Sequence, residues 1–122
     1  MKNDPDSPSA VVPPPSFRRF AQRFPAVVEA YDRFGAELRA AGPLSAREIA
    51  LVKLAVSVGA RMEGATFAHT RKARASGIED AALEHVVLLS APTIGFPNMM
   101  AALGCVRDVI EQAPPAGDGG SG

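Results

Sequence analysis

The sequence predicts an all-α protein, a bundle of about six helices. Three observations lead there. Apolar residues recur at helical spacing in segment after segment between residues 16 and 112. Most of these segments are bounded by a proline, a glycine or a capping serine. The composition also suits closely packed helices: 47% of residues are apolar but only 6% are aromatic, with no Trp, so small side chains carry much of the core.

The elements follow in chain order. Residues 1–15 hold five prolines and little that packs, so a disordered tail of partly polyproline character is expected there. "FRRFAQRF", residues 17–24, sets Phe17, Phe20 and Phe24 at i, i+3 and i+7. Pro25 suits the first position of a new helix, which runs to about Ala41 and is stopped by Gly42 and Pro43. "SARE", residues 45–48, is a capping box in which Ser45 and Glu48 satisfy each other's backbone N–H. It opens a helix from 46 to about 58. Val56 and Val58 favour strand, but 13 residues behind a capping box are too long for one. The next helix spans 61–76 and closes on Gly77 as a left-handed cap. Another covers 80–91 and ends before Pro92. "PTIGFP" is a tight connection, and Pro97 starts a last helix to about Gln112. Residues 113–122, "APPAGDGGSG", form a second flexible tail. The folded domain is therefore expected over 16–112, without internal repeats.

Two of these helices lack a wet face. After Glu48, helix 46–58 has only Lys53 and Ser57 as polar residues; after Asp80, helix 80–91 has only Glu84, His85 and Ser90. Such helices must be covered on all sides, and a domain this small has little material to do so. A homo-oligomer is expected.

Charge is balanced, 13 basic against 13 acidic residues, which removes any long-range attraction to nucleic acid or an anionic membrane. The longest apolar run, "IALVKLAVSV", has 10 residues with a lysine inside, against about 20 for a membrane span. The N-terminus lacks the apolar stretch of a secretory signal. Cys105 is the only cysteine, so neither an intrachain disulfide nor a thiolate cluster can form. The expectation is a cytoplasmic protein with no nucleic-acid or membrane partner.

Candidate chemistry concentrates in "RMEGATFAHTRKA", residues 61–73. Met62, Ala65 and His69 share a helix face at i, i+3 and i+7, and Ala65 leaves space one turn below the imidazole. A neutral imidazole in a small cavity is a natural general acid–base; the plainer alternative is a packed histidine with one satisfied nitrogen. Glu63 lies six residues before His69, about 120° around the helix, and cannot pair with it. It suits a first-turn carboxylate favoured by the helix dipole. His85, on a mostly apolar helix, requires a polar partner. Glu63, His69 and His85 have ligand types that suit zinc or iron, but no HxxxH or ExxH spacing, so no metal is expected. "RKAR", residues 71–74, reads as a solvated charge run. Cys105 reads as a small buried residue rather than a nucleophile. There is no GxGxxG, P-loop or GxSxG.

The stretch from Pro43 to Leu103 resembles the carboxymuconolactone decarboxylase family, which includes the alkyl hydroperoxidase D proteins. The Pro-Leu-Ser start at Pro43, "LAVSV" at 54–58, "AHT" around His69, Gly77, and "GFPN" at 95–98 carry the resemblance. It implies an alkyl hydroperoxidase D-like helical fold assembling into trimers or hexamers. The family's peroxidase branch uses Cys-x-x-Cys with a following histidine and a relay glutamate. His69 matches that histidine, while Met62 and Ala65 fall on the cysteine positions and Ala50 on the glutamate. Disulfide cycling needs an attacking thiolate and a resolving thiol, so peroxidase activity is not expected. The decarboxylase branch lacks the cysteines. It implies a cofactor-independent lyase on a small carboxylated or lactone metabolite, with His69 as general acid–base and Arg61 or Arg47 holding an anion. The family pocket, roofed by the "GFP" turn, implies a lining of Met62, His69, His85, Phe96 and Pro97, with Ala65, Glu63 and Arg61 as support. One departure stands out: the family often carries a glutamate where this chain has His85. The rival expectations are a non-catalytic binding or structural member, and a thiol-free metalloprotein.

Overall fold

Local signals in the sequence set nearly every helix end. In a computed structural model, which describes residues 14–112, seven helices follow one another: α1 (Pro15–Arg23), α2 (Pro25–Ala40), α3 (Ala46–Gly59), α4 (Glu63–Ala75), α5 (Asp80–Leu88), α6 (Ala91–Ile94) and α7 (Phe96–Gln112). No strand occurs among the described residues. Helix α1 begins at Pro15, one residue inside the expected tail; the rest of that tail up to residue 13, and the tail from 113, lie outside the described residues.

The reasons are local. A residue before proline is pushed out of the helical region, so Phe24 turns to φ −130° and ψ 63° and α1 stops at Arg23 rather than running through 24. Pro25 takes the first turn of α2. The capping box at α3 is complete: the Glu48 N–H donates to Ser45 Oγ at 3.0 Å and the Ser45 N–H donates to Glu48 Oε1 at 2.8 Å. At the end of α4 the Gly77 N–H donates to the Arg74 carbonyl and the Ile78 N–H to the Ala73 carbonyl, at 2.9 and 3.1 Å. This is a Schellman motif, with Gly77 at φ +94° and an apolar contact between its flanks, since Ile78 and Ala73 are both buried.

Three further features depart from expectation. Helix α4 starts at Glu63 rather than 61, because Arg61 and Met62 are spent on the exit from α3. Helix α5 stops at Leu88, and the connection expected to be a plain turn contains the short helix α6, closed by Gly95 at φ +94°. The "RKAR" run is only partly solvated: Arg71 is exposed, but the Arg74 side chain is 10% exposed and its Nε donates to Asp80 Oδ1 at 2.7 Å.

The core lies among α3, α4, α5 and α7; α3 and α7 each pack on both α4 and α5. Leu54 and Val58 of α3, Leu83 and Val87 of α5, and Met99 and Val106 of α7 are buried together. Burying one such side chain is worth about 1.5–3 kcal/mol. Helices α1 and α2 pack on each other and bury no residue. Val27, Tyr31, Phe34 and Leu38 therefore form an exposed stripe along α2 at helical spacing. The two helices expected to lack a wet face each bury one side and leave apolar side chains bare: Val52 and Val56 on α3, Leu88 and Leu89 at the end of α5. No helix among the described residues is long and apolar enough to cross a membrane.

Candidate functional site

Helix α3 ends in the same hydrogen-bond pattern as α4. The Arg61 N–H donates to the Val58 carbonyl and the Met62 N–H to the Ser57 carbonyl, both at 3.0 Å. The position that turns left-handed is Arg61, at φ +57°, and it is the only non-glycine residue with positive φ among the described residues. Glycine is favoured there because an L side chain costs about 1–2 kcal/mol in that conformation. The turn carries the guanidinium toward α7, where Arg61 Nη1 donates to Asn98 Oδ1 at 3.4 Å. The Asn98 Nδ2 donates to the Ile94 carbonyl at 2.8 Å, which commits the amide's other end to the backbone.

Beside this contact lies an open cavity of about 200 Å³. Val58 from α3 and Ala101 and Ala102 from α7 supply its apolar wall. Arg61, Glu63, Thr66 and Asn98 supply the polar one, and Cys105 completes the lining. The two alanines sit between Asn98 and Cys105 on one face of α7, at i, i+3, i+4 and i+7, and their small side chains leave the room. Thr66 is buried and pinned: its Oγ1 lies 3.1 Å from both the Met62 carbonyl and Ser57 Oγ, and Ser57 Oγ donates to the Leu54 carbonyl at 2.7 Å. The Cys105 thiol is buried, and its pKa is pushed up, first by burial and then by the negative charges of Glu63 and Asp108. A thiol held protonated is a poor nucleophile.

The site residues expected from sequence divide into two groups. Arg61 and Glu63 line the cavity. His69 is half-buried on α4, one turn beyond Thr66, and is not among the lining residues. Ala65 is half-buried one turn before it, and Met62 is the exposed N-cap of α4. His85 is exposed on α5, and Phe96 and Pro97 are exposed at the start of α7. Arg47 points elsewhere: its Nη1 and Nη2 donate to the Glu79 carboxylate at 2.8 and 3.0 Å. That pairing pulls the Glu79 carboxyl down to about 2. No three His, Cys, Asp or Glu side chains come together as metal ligands among the described residues.

Thr66, Asn98 and Cys105 were not anticipated at a cavity. Asn98 follows Phe96 and Pro97 in the "GFPN" motif, and the spacing of Asn98, Ala101, Ala102 and Cys105 on one helix face is the signal that locates the two α7 residues.

The sequence profile of the carboxymuconolactone decarboxylase family matches residues 25–108. The chain belongs to the carboxymuconolactone decarboxylase family. Comparison with curated proteins and with solved structures found no match. The match begins at Pro25 and so takes in α2, beyond the Pro43 start of the sequence resemblance. In this carboxymuconolactone decarboxylase family chain the start of α4 carries Met62 and Ala65, and its single thiol stands on α7.

Proposed function

We propose that this protein is a cofactor-independent lyase of the family, without peroxidase activity, acting on a small carboxylated or lactone metabolite. The observation that carries the reading is Arg61, a guanidinium presented at an open cavity from a backbone conformation that disfavours any side chain. Decarboxylation breaks the bond to the carboxylate carbon, releases CO₂ and leaves an electron pair that a carbon must take up with a proton. Arg61 holds the carboxylate by charge-assisted hydrogen bonds; the reading requires the substrate to extend past the cavity lining to His69, which returns the proton to carbon as general acid. The test is CO₂ release from a γ-lactone carboxylate. Arg61→Gln is expected to weaken binding about tenfold or more, and His69→Asn to abolish turnover while binding persists. Undiminished CO₂ release by His69→Asn ends the role of His69 as general acid, and absence of CO₂ release by the wild-type protein ends the lyase reading.

A second reading is binding without turnover. The placement of His69 outside the cavity lining favours it. It expects the ligand to bind the wild-type protein with no CO₂ released, and His69→Asn to leave affinity unaltered.

The proposal includes a homo-oligomer, trimer or hexamer, that covers the stripe of Val27, Tyr31, Phe34 and Leu38. Exposed apolar patches of this kind mark association surfaces. Tyr31→Glu is expected to lower the mass in solution by light scattering; a monomeric wild-type protein refutes the assembly. A cytoplasmic location, and no nucleic-acid or membrane partner, complete the reading.

A further inference from the structure

We propose that the cavity between the α3 exit, α4 and α7 takes a zwitterion: a compact ω-amino carboxylate whose carboxylate meets Arg61 and whose ammonium meets Glu63. The carboxylate end rests on the reading of Arg61 given above; the ammonium end is new. Arg61 and Glu63 both line the cavity, yet among the described residues they form no ion pair with each other. Arg61 is turned instead to Asn98, through one long bond of 3.4 Å. A guanidinium has five N–H donors in a planar fork, so most of its capacity remains for a ligand. Glu63 is the first residue of α4, a position where acidic side chains are favoured by the helix dipole. An anionic ligand lacking a cation would be drawn to Arg61 and repelled by Glu63 in the same small space. A ligand with both charges satisfies both walls.

Size narrows the class. Arg61 and Glu63 are two residues apart, so their Cα atoms lie at most about 7 Å from each other. The cavity volume of about 200 Å³ is below the range of about 300–1,000 Å³ typical of drug-sized ligand pockets. This suits a small molecule with its two charges close together. The apolar wall of Val58, Ala101 and Ala102 suits the methylene chain between them.

The test compares γ-aminobutyrate with butyrate, which differ by the ammonium group, in calorimetric titration of the full chain. The wild-type protein is expected to bind γ-aminobutyrate about tenfold tighter, as one charge-assisted hydrogen bond gives. Glu63→Gln is expected to erase that preference while butyrate binding persists or improves, and Glu63→Asp to retain part of it. Equal binding of the two probes by the wild-type protein, or a preference that survives in Glu63→Gln, overturns the ammonium subsite and leaves the Arg61 reading intact. Binding of neither probe overturns both.

Discussion

Helices α3 and α4 leave their last turns by the same route, and the residue at the turning point differs. Both exits are Schellman motifs with a left-handed residue beyond the cap, Arg61 in one and Gly77 in the other. At Gly77 the motif does structural work alone: it folds Ile78 back onto Ala73 in the core. At Arg61 the next residue, Met62, stays exposed, and the left-handed residue itself carries a side chain to a cavity wall. The contrast separates a turn made as cheaply as the backbone allows from one that tolerates strain to place a charge.

That contrast can be sharpened by substitution, beginning with the largest expected effect. Gly77→Ala is expected to destabilise the fold by about 1–2 kcal/mol. An added Cβ at Gly77 meets nothing within 4 Å, so the loss measures backbone conformation alone; a denaturant midpoint unaltered by this change would break the comparison. Ser45→Ala removes the cap of α3 and is expected to cost about 1 kcal/mol, measured the same way, and it calibrates how much one end of this helix contributes. Arg61→Gly runs in the opposite direction. Relief of about 1–2 kcal/mol of left-handed strain, less about 0.5–1 kcal/mol for the freer unfolded chain, gives a net stabilisation of up to about 1.5 kcal/mol. Loss of stability in Arg61→Gly would show that the guanidinium holds the fold rather than a ligand.

The smallest effect concerns the Arg47–Glu79 pair, which ties the first turn of α3 to the N-cap of α5 just beyond Gly77. Glu79 is lowered from 4.5 to about 2. Its contribution is therefore full above about pH 4.5 and fades as pH falls toward 2. Both partners are exposed, so the contribution is small and salt-sensitive. Arg47→Ala should flatten the pH dependence of melting over that window at low salt and change little at pH 7.

Much of the helical order was legible because its causes are local. Pro25, the Ser45–Glu48 box and Gly77 each act within four residues of a helix end. The family was legible too, from "LAVSV", "AHT" and "GFPN" in order. The exit at Arg61 was misplaced because nothing in its residue type announces a left-handed backbone; arginine there contradicts propensity, and contradictions of that kind gather at sites. Arg74 looked solvated in a run of charges until the chain brought Asp80 beside it. The candidate site was half visible. Arg61 and Glu63 stood in the quoted segment around His69, but Asn98 and Cys105 come from a helix more than 30 residues further on.

By itself the sequence determined the all-helical class, most helix ends, the family and the lack of a thiol pair at the start of α4, since each depends on residue identity or on neighbours a few positions apart. Tertiary structure alone decided which face of α4 borders a cavity and which residues of α7 oppose it. A helix offers its residues in every direction, and only the packing of α4 between α3 and α7 selects Glu63 and Thr66 for the opening and leaves His69 a turn away.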